Sequence, residues 1–145
     1  MDKCTKTAAI YIALLRAIYI INQQNHWCST GAAFYSSHLL FKRIYEKAQD
    51  NIDLAAEKFI GLFGESVVDY KLQSMLLSKI LSKYSSNSMF EQSLAIERDF
   101  LKYSKKAYDC FEQESKLSLG LDDMIMSIAS DREESIYLLQ QSTKN

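Results

Sequence analysis

The chain has only two histidines, His26 and His38, and these are followed by Asp53 and Glu57. Two imidazoles and two carboxylates make a mixed nitrogen and oxygen donor set, which suits Fe(II), Zn(II) or Mn(II) without choosing among them. Their spacing restricts how they can meet. If residues 32–60 form one helix, His38 and Asp53 lie about 22 Å apart along its axis, so one copy cannot bring both to one ion. A second copy running antiparallel beside the first would set Asp53 and Glu57 of one subunit near His26 and His38 of the other. The spacing therefore predicts a metal site and a two-fold interface together.

Other chemistries have less support. A di-metal centre inside one bundle uses paired E-x-x-H motifs, yet the residues three before the histidines are Gln23 and Tyr35. Cys4, Cys28 and Cys110 are odd in number and widely spaced, with no C-x-x-C pair, which points to a reducing, cytoplasmic setting. The nine tyrosines fall largely at helical spacing and read as core or interface. Taken singly, each candidate ligand has an ordinary explanation: a satisfied histidine, a solvated Asp-Glu face, or a packing anchor in the case of Trp27.

The elements that must position these residues follow from composition. There is no proline, and the only glycines are Gly31, Gly61, Gly64 and Gly120, so the chain reads as all-helical with the glycines at its joints. Its 145 residues suit one domain spanning 1–145. A net charge of −1 gives no overall attraction to nucleic acid phosphates.

The first helix is predicted over 5–28. Every residue from 8 to 21 is apolar except Arg16, but this run is shorter than the roughly 20 residues of a membrane span and reads as a buried helix. A helix apolar all round is buried all round, so its second face is expected to meet another subunit or to be sandwiched within the chain. The second helix is predicted over 32–60, with a seam of Phe34, His38, Phe41, Tyr45, Ala48, Ile52, Ala55 and Phe59, and with Gly61 and Gly64 stopping it. Residues 65–87 form a long connection with a short helix at 67–81, a crossover that joins parallel helices. Ser88-Met89-Phe90-Glu91 reads as a capping box opening the third helix, which runs to Leu117. Gly120 separates it from a fourth over 121–141, whose first turn holds Asp122 and Asp123. The product is a four-helix bundle with a long crossover between its second and third helices.

Asn25-His26-Trp27, Gly31, Phe34, His38-Leu-Leu-Phe41, Tyr45, Asp53-Leu-Ala-Ala-Glu57 and Lys58 resemble the first half of the Dps family, the miniferritins. Leu121-Asp122-Asp123-Met124 and Glu134 to Leu139 are similar, more weakly, to that family's last helix. The resemblance implies a ferritin-like four-helix subunit, built into two-fold dimers and assembled as a hollow dodecamer. It implies oxidation of Fe(II), usually by hydrogen peroxide, and storage of ferric mineral in the cavity. Iron would be ligated by His26 and His38 from one subunit and by Asp53 and Glu57 from its neighbour, with Trp27 beside the site to intercept stray oxidising equivalents. Asp122, Asp123 and Asp131 would line an acidic iron-entry pore.

One departure stands out. The family commonly has Asp or Glu four residues after the second histidine, and this chain has Lys42. A cation there repels a metal ion, although pairing with Glu46 would blunt its charge, so one iron per site is expected rather than two. The alternative is a shell of the same fold that binds metal but has lost efficient ferroxidase activity. Residues 1–6 and 141–145 carry too few cations to clamp phosphates, so DNA binding is not expected.

Overall fold

Rich in helix formers and free of proline, the chain folds as five α-helices among its described residues. The computed structural model describes residues 1–85 and 88–144, and no strand occurs among them. The helices are α1 (Lys3–Cys28), α2 (Phe34–Phe63), α3 (Tyr70–Leu81), α4 (Met89–Gln113) and α5 (Leu119–Thr143), with 3-10 turns at Glu65–Val68 and Ser82–Tyr84. Residues 86–87 of the predicted connection and Asn145 of the tail lie outside the described residues. The four long helices form the bundle, and α3 is the crossover helix, as expected.

Most of α1 is buried inside the chain, with Ile20 the one residue of the 8–21 run left exposed. It packs on α2 and α4, and the crossover closes its third side through α3 and the 3-10 turn at Glu65–Val68. Gln73 of α3 fastens that cover: its buried side-chain amide donates to the Ala9 carbonyl at 3.0 Å and the Val67 carbonyl at 2.9 Å. The sandwiched alternative is therefore realised for most of α1, and Ile20 is left exposed. At its centre Tyr11 meets Phe59 and Phe100 edge-on, at centroid distances of 5.4 and 5.0 Å.

The buried stripe of α2 is Phe41, Ile44, Ala48, Asn51, Ala55 and Phe59. This corrects the predicted seam, because at 3.6 residues per turn Tyr45 and Ile52 rotate onto a flank, where Tyr45 packs edge-on against Tyr19 at 5.4 Å. Phe34 is exposed and His38 half-buried.

The glycines also need correction as joints. Only Gly31 (φ +93°) and Gly64 (φ +92°) adopt the left-handed region; Gly61 sits inside α2 and Gly120 in the first turn of α5. The stop of α4 is made by a serine. Ser115, at φ +56°, donates its N–H to Glu112 O at 3.1 Å while Lys116 donates to Phe111 O at 2.8 Å, which ends the helix at Gln113 rather than Leu117. Ser88 caps α4 by accepting from Glu91 N at 3.3 Å, and Ser118 starts α5 by accepting from Leu121 N at 3.1 Å.

Candidate metal centre

The short turn through Gly31 folds α2 back along α1, so the last turn of one helix faces the second turn of the other. His26 and His38 meet there. Their rings stack with centroids 3.7 Å apart and planes 19° from parallel. Each Nδ1 lies 2.7 Å from the other residue's backbone carbonyl oxygen. A carbonyl can only accept, so each neutral ring carries its proton on Nδ1 and leaves the Nε2 lone pair free for a metal. The His26 carbonyl belongs to the last turn of α1, where no intrahelical N–H reaches it, so His38 also caps that helix. Carbonyls that hold the far nitrogen of a ligating histidine are the usual means of fixing ring orientation in metal sites.

The stacking also limits coordination. Imidazole binds a metal in its ring plane, at about 2.1 Å from nitrogen. Two nearly parallel planes with centroids 3.7 Å apart cannot both contain one ion, so as seated these rings address two neighbouring positions rather than chelating one. Phe34 stacks on the outer side of His38 at 4.9 Å, and Tyr45 meets His26 edge-on at 5.5 Å. The pair is thus held between aromatic walls.

Asp53 and Glu57 are elsewhere. Both are exposed on α2, one turn apart, with no hydrogen bond or ion pair among the described residues. Because α2 is continuous from Phe34 to Phe63, Asp53 stays about 22 Å from His38 along the helix. Among the described residues no group of three or more His, Cys, Asp or Glu gathers within one chain to hold a metal. Trp27, adjacent to His26, is 65% exposed and makes no ring contact among the described residues.

Lys42 pairs with Glu46, Nζ to Oε1 at 3.7 Å, and both side chains are about half exposed. Of the three aspartates expected at a pore, Asp131 is tied to α2, with Lys47 Nζ at 3.9 Å and Asn51 Nδ2 donating at 2.9 Å. Asp122 accepts from Tyr108 Oη at 3.3 Å, and Asp123 is exposed.

Sequence reasoning missed the polar brace behind the histidines. Asn25 donates to Ser93 Oγ at 3.1 Å and to the Met89 carbonyl at 3.2 Å, and Ser93 donates to Asn22 Oδ1 at 2.7 Å. All three residues are buried, and together they fix the end of α1 that carries His26 against the start of α4. The only signal was the polar run Asn22-Gln23-Gln24-Asn25 directly after an apolar helix. The buried ion pair Glu97–Arg132, at 3.1 Å between α4 and α5, was equally invisible in a pattern of charges.

The architecture defines a class, the ferritin-like four-helix bundle with a long crossover. Within that class its shape is that of Dps proteins. Dps from Thermosynechococcus elongatus superposes with a TM-score of 0.83 at 17% identity, over 99% of this chain and 91% of that one. DpsC from Streptomyces coelicolor gives 0.82 at 18% identity, over 98% and 84%, and an archaeal Dps homologue from Halobacterium salinarum gives 0.81 at 16%, over 99% and 80%. A nutrient stress-induced DNA-binding protein of Nostoc sp. (strain PCC 7120) is 32% identical over 97 residues, which is 65% of this chain. The matched stretch spans about half of that relative, 53% of its length. No protein-family model matches the chain. The fold implied by the resemblance to the Dps family, read from residues 25–58, is thus the fold of the whole chain.

Proposed function

We propose that the chain builds an oligomeric iron-sequestering shell in the cytoplasm, with ferroxidase sites at its two-fold interfaces. Fe(II) is the substrate. It is held at His26 or His38 of one subunit together with Asp53 and Glu57 of the partner subunit, oxidised by hydrogen peroxide, and stored as ferric mineral inside a closed assembly, twelve subunits in the family it resembles.

The observation that carries this reading is a second stripe on α2. Tyr35, Leu39, Lys42, Glu46, Asp50, Asp53 and Glu57 are all exposed and recur every three or four residues, on the side of the helix opposite its buried stripe. Such a stripe suits an antiparallel pairing with a second copy of itself. Centred on Glu46, that pairing sets Tyr35 against Glu57 of the partner subunit, Leu39 against Asp53 of the partner subunit, and Lys42 against Asp50 of the partner subunit. The register carries the two unpaired carboxylates to the end of α2 where the histidines lie. The exposed Trp27, Phe34 and Leu39 around them supply apolar surface for such a contact.

In this site the carboxylates neutralise the incoming Fe(II), and Nε2 of an imidazole completes a set that leaves positions open for peroxide. Peroxide takes two electrons as its O–O bond breaks, whereas each Fe(II) gives one. Two irons, one at each ring, supply both electrons. If Lys42 keeps the position at His38 empty, the second electron comes from a nearby oxidisable group, and Trp27 adjoins His26. Lys42 also favours the other reading, a shell that binds metal without efficient turnover.

Anaerobic loading with Fe(II), then peroxide, with ferric absorbance as the readout, separates the two. The native protein should form ferric product rapidly and a His26→Ala, His38→Ala variant slowly. Equal rates would remove the enzyme reading. A stable species of 16.7 kDa in light scattering would remove the intersubunit site. The Nostoc relative's name raises DNA as a partner, against the expectation from charge, and DNA is left out of this proposal.

A further inference from the structure

The beginning of α1 and the end of α4 bring two buried thiols to one place. Cys4 and Thr7 lie three residues apart on α1 and so share a face, and the Thr7 hydroxyl oxygen is 3.7 Å from Cys110 Sγ of α4. Cys4 and Cys110 are both buried and both free, 5% and 9% exposed, whereas Cys28 is exposed at the far end of α1. A cleft of about 340 Å³, lined by Asp2, Lys3, Cys4, Phe63, Glu114 and Lys116 among others, opens over Cys4. It gives a small polar oxidant a route to one sulfur of the pair.

We propose that Cys4 and Cys110 are a peroxide-oxidisable thiol pair that closes to a disulfide joining the first turn of α1 to the last turn of α4. Cys4 thiolate attacks one oxygen of hydrogen peroxide; the O–O bond breaks, hydroxide leaves and takes up a proton, and Cys4 becomes a sulfenic acid. Cys110 thiolate then attacks the Cys4 sulfur, the S–S bond forms and the S–O bond breaks. The thiols lose two protons and two electrons, and one peroxide becomes two waters. The pair is slow. Burial, reinforced by the neighbouring Cys110, pushes the Cys4 thiol up to about 11, so little thiolate exists at neutral pH. It is therefore a staple set under sustained peroxide, not a fast sensor, and it does not depend on the iron site.

The experiment uses the full chain with Cys28→Ser, which removes the exposed thiol and with it subunit-to-subunit crosslinks. After hours in peroxide, intact mass should fall by two hydrogens. The denatured chain should then show no thiol where the untreated one shows two, and one tryptic species should contain both cysteines until it is reduced. Removing either partner, by Cys4→Ala or Cys110→Ala, should abolish the mass loss while circular dichroism remains that of a helical bundle. Gain of oxygen atoms without crosslinking overturns the proposal, as does retention of both thiols. Because the oxidised Cys28→Ser chain is also tested for recovery of both thiols with dithiothreitol, a poorly folding alanine variant leaves the result intact.

Discussion

Arg132 and Glu97 form an ion pair with no exposed side-chain surface, and its hydrogen bonding is incomplete. One bond, Arg132 Nη1 to Glu97 Oε1 at 3.1 Å, joins them, while Glu97 Oε2 and Arg132 Nε and Nη2 have no partner. Removing only the cation, by Arg132→Met, leaves a carboxylate buried alone and should cost about 3–5 kcal/mol. Replacing both, by Glu97→Leu with Arg132→Met, removes every unmet group together and should restore native stability or exceed it by about 1–4 kcal/mol. The pH dependence sharpens the test. Burial pushes the Glu97 carboxyl up to about 7 from 4.5, with Arg132 pulling it partly back. A carboxyl whose folded value is raised contributes stability that is full below its unfolded value and is lost as pH rises through the folded value. The shift corresponds to roughly 3 kcal/mol lost between about pH 4.5 and pH 7. Glu97→Gln should flatten that part of the profile, and Arg132→Met, which removes the charge pulling the carboxyl back down, should extend the loss to higher pH. Urea unfolding followed by far-ultraviolet circular dichroism, at one fixed protein concentration, measures all four chains. An Arg132→Met cost below about 1 kcal/mol, or a Glu97→Gln profile that keeps its slope, would refute the reasoning.

Lys42→Glu should tighten binding of a second Fe(II) about tenfold, from roughly 1–2 kcal/mol of Coulomb energy, as read by anaerobic titration; unchanged stoichiometry would mean that Lys42 does not face the metal. If Lys42 instead faces Asp50 of the partner subunit, Lys42→Asp and Asp50→Lys should each weaken assembly in sedimentation, and the double exchange should recover it. Gly64→Ala should cost about 1–3 kcal/mol through its backbone alone, since nothing lies within 4 Å of an added Cβ, while Ser115→Gly should raise stability by about 0.5–1 kcal/mol; urea midpoints measure both. In mobility-shift gels at about 0.15 M salt no plasmid should be retarded. Retardation that disappears on reversing Arg98, Lys102 and Lys106, an exposed stripe of α4 without ion pairs among the described residues, would give this chain a DNA-binding face.

The fold was legible where a residue type has one dominant physical consequence. No proline meant uninterrupted helices, and Ser88 with Glu91 marked the start of α4 because a hydroxyl before a first turn has an orphan N–H to accept from. It was illegible where the consequence depends on neighbours distant in sequence. Gly61 and Gly120 are helical because their conformations are set by the turns around them, while Ser115 takes the left-handed stop that composition reserves for glycine. The apolar surface of α1 likewise could not say what covers it. Gln73, one polar residue in a connection, decides that by pinning α3 across α1.

At the candidate site the spacing carried the separation between histidines and carboxylates, because a continuous helix converts residue number into length. It carried nothing about the relation of His26 to His38, which lie on different helices and depend on the angle at which the Gly31 turn folds them together. That angle has chemical consequences. Exchange of Nδ1 contacts with opposite backbone carbonyls sets both tautomers and binds the imidazoles into one rigid unit, so neither ring can turn toward a shared ion without losing its own carbonyl and exposing its partner's. Stacking would then separate two positions for a metal, one at the buried His26 and one at the half-buried His38 whose next turn carries Lys42. The two positions are unequal in burial and in charge. If iron is oxidised here, the His26 position should fill first, and His38→Ala should lower turnover less than His26→Ala, because the Nδ1 partner of His26 is a backbone atom of residue 38 and survives the substitution.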